Sequence, residues 1–537
     1  MSNVDLILVN GSVVTVDEDG TVAEAIAVDD GLIVAVGTSD DVRALAGPDT
    51  EVVDLAGTTV VPGFVDAHSH VSMGAPYIKH AALHTPPVGE TRTVPDIVRR
   101  LHEAKDRNRP APGEWVIGWG YYPDEMDDGG EVTAEMLDRE FPDHRVAIVH
   151  VSGHGGVVNS RVLEAAGFTA GVEDPDGGTI VRYPGTDTPN GVLWEQAWIP
   201  IAFSLFDFDD DAFVEMLGEY ARFGMTTVQD GAATVDQIKY VRSFAESRGL
   251  PVDVRSLVIF NEFQEALDEG LLGTSSHGHT VQGLKLILDG SPQGKTAYVT
   301  EEYVTGGPGG EEHWHGLAVI DQATTDALVE QAYRHGVQVF AHCNGDASID
   351  QLLAAHRAAK EAGVSSPGRT VPIHSQVMRA DQLDDYVAEG FNPSMFTIHT
   401  YIFGDTHLRN FGPDRAAGIS PLRSATAKGL RPTNHSDYPI TPINPMVLLW
   451  TSVVRRSTGG AVLGADERVT PIDGLRALTI NAAYEHRTED DRGSLEVGKI
   501  ADLVLLDANP LEVDHDAIKD ISVLRTIKRG TTVYSAS

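Results

Sequence analysis

Apolar and β-branched residues open the chain in short runs rather than at helical spacing. Val4–Leu8, Ser12–Val16, Ala25–Val28 and Leu32–Val36 are such runs, separated by Asn10-Gly11, Asp19-Gly20 and Asp30-Gly31. Asn-Gly and Asp-Gly pairs tolerate the positive φ angles of tight hairpins, so this texture predicts strands joined by turns. The tail returns to it in Ala501–Asp507 and Ser522–Tyr534, with Arg529-Gly530 as the turn. Two β-rich ends predict one small sheet module, residues 1–61 plus 486–537, built from both termini.

Between the ends, helix and strand alternate. Asp210–Arg222 has apolar residues at helical spacing, is stopped by Gly224 and precedes the strand-like Thr226–Gln229. Thr325–Arg334 places Leu328, Val329 and Ala332 on one face; Gly336 ends it and Val337–Ala341 follows. Thr370–Ile373 and Ala380–Glu389 repeat the order. Repeated βα units predict an α/β fold over 62–485, a parallel sheet or barrel with its chemistry at the C-terminal strand ends. Residues 72–215, rich in Pro, Gly and Trp, read as a loop-rich insertion, and Gly306–Gly316 reads as a mobile loop.

Composition narrows the function classes. A chain of 537 residues that is 42% hydrophobic can bury a large core and is neither disordered nor collagen-like. Cys343 is the single cysteine, which excludes an intrachain disulfide and a Cys-based zinc finger. Asp plus Glu number 79 against 40 Lys plus Arg, and the resulting net charge of −39 repels phosphate backbones, so no nucleic-acid partner is expected. The sequence has neither a signal-peptide pattern nor an apolar run of about 18 residues. The expectation is a cytoplasmic protein, without a membrane partner, acting on a small molecule.

The candidate chemistry lies at strand ends. TTVVPGFVDAHSH is a β-rich run ending in His68-Ser69-His70, and residues i and i+2 of a strand share a face, so both imidazoles can reach one metal. His277-Gly-His279 and His313-Trp-His315 have the same spacing but no preceding strand, and read as solvated loop residues. His342 and His374 each close a predicted strand, and Asp437 follows another in LRPTNHSDYPITPINP. In series after the HxH pair, these read as metal ligands, with Asp437 also a base. Lys285 interrupts the apolar strand GLKLILDGS, where a buried ammonium must be paired, neutral or modified. A salt bridge to Asp289 is one reading; addition of carbon dioxide to give an anionic carbamate is the other.

In this order, these residues resemble the amidohydrolase superfamily of metal-dependent hydrolases. PGFVDAHSH matches its first-strand signature, GLKLILDGS is similar to its carboxylated-lysine strand, and GSLEVGKIADLVLLDANPL resembles the segment re-entering its β-sandwich. VSGHGGVVNS, DPDGGTI…TPNGVLWE, HCNGDASID and SDYPITPINP resemble the YtcJ-like branch, amidohydrolase family 3, which includes N-substituted formamide deformylases. The resemblance implies a distorted TIM (β/α)8 barrel, a terminal β-sandwich, an insertion near the barrel mouth and a homodimer. It implies that His68, His70 and Asp437 hold one divalent metal, that His342 and His374 hold a second, and that carboxylated Lys285 bridges them. Imidazole and carboxylate donors suit zinc, with manganese, iron and cobalt as other candidates. Two departures stand out: Cys343 follows the fifth-strand histidine, and Asn434-His435 replace the usual glycine, where His435 would crowd the pocket or contact substrate.

The activity so implied is hydrolysis of a non-peptide C–N bond (amide, N-substituted formamide or cyclic amide) by metal-activated water, with Asp437 moving the proton. Ester or lactone hydrolysis, or a decarboxylation or isomerisation, fits the same scaffold, as does a non-catalytic scaffold that has lost its metals. His154 is a candidate for substrate-oxygen stabilisation. Trp115, Trp119, Tyr121 and Tyr122 read as core, or as part of a substrate pocket if the insertion folds over the barrel.

Overall fold

The computed structural model describes residues 4–205 and 210–536. At its centre lie eight parallel strands: β1 (Phe64–Asp66), β2 (Met225–Ala233), β3 (Asp253–Ile259), β4 (His279–Ile287), β5 (Gln338–Gly345), β6 (Val371–Val377), β7 (Ser394–Met395) and β8 (Thr433–Asn434). Each pairs with its neighbour in chain order, the topology of a TIM-like barrel. Helices Val235–Arg248, Gln322–Arg334, Asp346–Glu361 and Ala380–Glu389 return the chain between strands. Strands covered by helices are buried on both faces, which is why β5 and β6 are buried along their whole length.

The sheet order runs from β1 to β8, and the seam between these two is closed beyond their ends. Asp66 accepts from the Ser436 N–H at 3.0 Å and from its hydroxyl. The Asp437 N–H then donates to the His68 carbonyl at 2.9 Å, and the His70 N–H to the Tyr438 carbonyl at 2.8 Å. Glu485 ties the barrel from another side: its carbonyl accepts from Gln338 Nε2 at 3.2 Å, and its carboxyl accepts from Thr433 Oγ1 at 2.8 Å.

The chain ends contribute two sheets. One has the order Leu32–Gly37, Ala25–Asp29, Leu6–Val9, Glu51–Asp54; the other, Thr531–Ser535, Val523–Lys528, Leu503–Leu506, Thr59–Pro62, Ser12–Val14, Val22–Ala23. Leu8 and Val28 from the first meet Val13, Val60, Leu503 and Ile527 from the second in one buried apolar cluster.

Residues 72–215, expected to be loop-rich, carry regular structure. Six strands, in the order Gly178–Arg182, Pro189–Glu195, Gly155–Val158, Arg145–His150, Trp115–Tyr121, Ala81–Ala82, form a sheet flanked by helices such as Val94–Asn108. The glycines that suggested loops have a packing reason. A Cβ at Gly155 would lie 2.4 Å from the Trp194 ring, and one at Gly156 2.5 Å from the Trp198 ring. Gly306–Gly316 is fastened by bonds from the Val299 N–H to the His315 carbonyl and from the Tyr303 N–H to the Trp314 carbonyl, both 2.8 Å. His279, read as solvated, is instead the fully buried first residue of β4, with Nε2 3.1 Å from Ser256 Oγ. Pairing of Ser275–Ser276 with β4 carries the sheet into that Gly-rich stretch.

Burial pushes the Glu485 carboxyl up to about 8, the Thr433 hydrogen bond only partly opposing it. The folded chain therefore keeps a proton that the unfolded chain releases above its ordinary value of 4.5. This contribution is fully present below pH 4.5 and is lost as pH rises to about 8. Glu485→Gln lacks that proton, so thermal melts across this window should show wild-type stability falling relative to the variant. Parallel pH profiles would refute the assignment.

Candidate metal centre

The barrel brings the six predicted ligand positions to one mouth. β1 ends at Asp66, so His68 and His70 lie just past the strand rather than within it, yet both rings turn to the same carboxylate. His68 Nε2 is 3.4 Å and His70 Nε2 3.2 Å from Asp437 Oδ1. These three residues offer ligand atoms within 4.8 Å of one another. His342 and His374 lie inside β5 and β6, and His342 Nδ1 faces His374 Nε2 at 3.1 Å. His374 and Asp437 adopt φ angles of 75° and 52°, the left-handed region in which non-glycine residues are uncommon and which recurs at functional sites.

Lys285, inside β4, is 1% exposed, and its Nζ is 2.9 Å from His68 Nε2. Burial lowers its amine to about 7, against the pull of Asp437, so neutral amine is available near neutral pH. The alternative salt bridge to Asp289 is not made. Asp289 accepts instead from the Asn344, Gly345 and Tyr298 N–H groups and from Ser348 Oγ, at 2.8–3.0 Å. Burial also holds the His68, His342 and His374 imidazoles well below their ordinary range, in the neutral form that metal ligation requires.

Two observations fit this donor set to cations. Asp437 Oδ1 is buried without a hydrogen-bond donor, facing two imidazole nitrogens, and such an orphan is costly unless a cation completes it. His342 Nδ1 and His374 Nε2 lie 3.1 Å apart, close enough for both neutral rings to serve as ligands of one ion.

An amidohydrolase family model matches residues 51–534. The chain belongs to the amidohydrolase family. Across 99% of its length it is 28% identical to an N-substituted formamide deformylase of Arthrobacter pascens, covering 98% of that protein. It is 26% identical to YtcJ of Bacillus subtilis (strain 168), with 98% and 99% of the two chains covered. An uncharacterized metal-dependent hydrolase from Pyrococcus horikoshii OT3 shares its fold, with a TM-score of 0.75 at 20% identity over 95% of this chain and 99% of that one.

In this amidohydrolase, the insertion closes over the mouth. The cavity above the cluster encloses about 970 Å³, part of it open to solvent. Met73, Tyr77, Val149, Ile199, Ile287 and Ile440 give it an apolar lining, and Ser152, His154, Asp230, Lys285, His342 and Asp437 are among its polar groups. His154 Nδ1 is 3.0 Å from Glu195 Oε2. Burial opposes a charge on this ring, but Glu195, Asp289 and Asp437 prevail, making it more basic than an ordinary histidine. The four aromatics of 115–122 serve packing: Trp119 Nε1–H donates to the Pro439 carbonyl at 3.0 Å, and Tyr122 OH meets Thr406 Oγ1 at 2.6 Å. Cys343 is a fully buried packing residue.

His435 departs from its expected place in the pocket. It sits behind His374, with Nε2 3.0 Å from His374 Nδ1 and Nδ1 2.8 Å from Ser394 Oγ, stacked on Phe396. Gln229 holds His68 in the same way, through Oε1 2.6 Å from Nδ1. Sequence reasoning missed Gln229, Glu195 and Ser394, whose positions carry no ligand spacing, although Glu195 lay within the quoted NGVLWE motif. It also missed Gly231, where a Cβ would lie 2.3 Å from His68 Cε1. Groups that fix a ligand's tautomer typically contribute tenfold or more to metal affinity. His435→Ala should therefore weaken zinc binding by about 10- to 100-fold in chelator competition; unchanged affinity would remove its supporting role.

Proposed function

We propose that this amidohydrolase binds divalent cations, zinc in the first place, and hydrolyses a non-peptide C–N bond of a small uncharged molecule with apolar substituents, of the N-substituted formamide or related amide class. The observation that carries this reading is the orphaned Asp437 Oδ1 between two imidazole nitrogens at the floor of an apolar cavity. His68, His70 and Asp437 would hold one ion, His342 and His374 a second, with Lys285 as its carbamate between them. When bound, the ions supply Lewis acidity, lowering the pKa of water and polarising a carbonyl.

The protein's own groups do the rest. Asp437 accepts the proton of the attacking water and returns it to the leaving nitrogen, for which a carboxylate at the cluster is well placed. His154, backed by Glu195, faces the cavity as a donor to the substrate oxygen. The apolar lining accommodates the substituents on carbon and nitrogen. Among the described residues no arginine lines the cavity, so a substrate carboxylate would lack a guanidinium partner. That favours neutral amides, the chemistry named for the Arthrobacter relative. The two terminal sheets, sharing one apolar cluster, are read as a composite β-sandwich outside the site.

Protein purified without chelator should contain about one to two zinc ions per chain, and metal analysis finding a small fraction of one would refute metal-dependent catalysis. Asp437→Asn should lower kcat by at least about a hundredfold while leaving the circular dichroism spectrum intact; unchanged kcat removes the proton-transfer role. Mild-condition mass spectrometry should find Lys285 carrying the added mass of carbon dioxide. A bare lysine in protein with two occupied metal sites would refute the bridge.

A further inference from the structure

The insertion presents one turn to the cavity, His150–His154, and its hydrogen bonds leave an unusual remainder. The turn is tightly held. The Gly153 N–H donates to the His150 carbonyl, Trp198 Nε1–H to the Gly153 carbonyl and the Glu195 N–H to the His154 carbonyl, each at 2.9 Å. Within it, the Ser152 N–H donates to His150 Nδ1 at 3.2 Å, and Ser152 Oγ lies 2.9 Å from the same nitrogen. A ring nitrogen that accepts from a backbone N–H carries no hydrogen of its own. The Ser152 hydroxyl must therefore give its single hydrogen to His150. Oγ also accepts the His154 N–H at 3.2 Å. Burial keeps the His150 ring neutral, its pKa pushed down to about 3, so no second proton takes Nδ1 from these donors. With its hydrogen committed, Ser152, which lines the cavity together with Lys285, His342 and Asp437, has only acceptor capacity to offer a substrate.

We propose that Ser152 Oγ accepts the N–H of the scissile amide, so that the enzyme selects secondary amides, R–CO–NH–R′, over N,N-disubstituted amides and esters. This rests on the C–N hydrolysis proposed above and adds the class of nitrogen accepted. An ester would set oxygen lone pair against oxygen lone pair, and an N-methyl group would leave the buried acceptor unpaired. Sites built around a specific substrate hydrogen bond discriminate strongly against analogues lacking it.

The test compares kcat/KM for N-butylformamide, N-butyl-N-methylformamide and butyl formate in the metal-loaded enzyme and in Ser152→Ala. Intrinsic reactivity cancels when each preference is compared between the two proteins, and the ester, which carries no N-methyl group, controls for the room that the alanine opens. The wild type should favour the secondary over the tertiary amide by at least about tenfold, and both this preference and the amide-to-ester ratio should fall by about tenfold in the variant. Ser152→Cys, which fills the position with a larger atom that accepts far more weakly, should give the same collapse of the amide-to-ester ratio and serves if the alanine variant does not fold. Equal losses on all three probes, as a collapsed turn or an acyl-accepting hydroxyl would produce, overturn the proposal, as does equal wild-type turnover of both amides. Turnover of the ester alone, or of no probe, refutes the C–N reading and carries this inference with it.

Discussion

The structure turns on how the barrel closes between its first and last strands. A buried carboxylate, Asp66, receives both the backbone N–H and the hydroxyl of Ser436, and the next backbone bonds run from Asp437 to His68 and from His70 to Tyr438. The groups that seal the seam are therefore the immediate neighbours of three candidate ligands, or the backbone of those ligands themselves. Closing the fold and assembling the His68–His70–Asp437 cluster are one event. The left-handed conformation of Asp437 belongs to the same event, because that residue must both bond across the seam with its backbone and turn its carboxylate to the cluster.

Around this seam, burial sets the electrostatics. Desolvation strips the charge from the imidazoles of His68, His342 and His374 and brings the Lys285 amine within reach of neutrality. An assembly that would repel cations if protonated is thereby kept in its ligating form. The imidazoles are themselves held from behind: Gln229 behind His68, and His435 with Ser394 behind His374. Such backing fixes both ring orientation and tautomer.

The insertion contributes the other half of the site. Its sheet delivers Val149, Ser152 and His154 to the barrel mouth, and the Glu195 carboxylate behind His154 comes from the antiparallel neighbour of the same sheet. The barrel thus provides the candidate ligands, and the insertion provides the roof that shapes and desolvates the space above them. Division of this kind lets one barrel chemistry serve many substrates, since the roof can vary without disturbing the ligands.

Local pattern determined a good deal. The βα alternation, the hairpin punctuation at Asn10 and Asp30 and the strand-end places of His68, His70, His342, His374 and Asp437 were legible because each depends on short-range spacing: period two, period 3.6, or a residue type at a strand end. The sequence also flagged Lys285 as anomalous, since a lysine inside an apolar strand contradicts its surroundings. Tertiary structure decided the rest. Gly155 and Gly156 looked like loop residues and are strand residues that make room for Trp194 and Trp198, partners about 40 residues away that no local pattern reveals. His279 looked solvated and is buried, while His435 looked like a pocket residue and lies behind His374. Which side of a ring faces a cavity, and which donor is already spent on a neighbour, follows from contacts between distant segments, and only the folded chain brings those segments together.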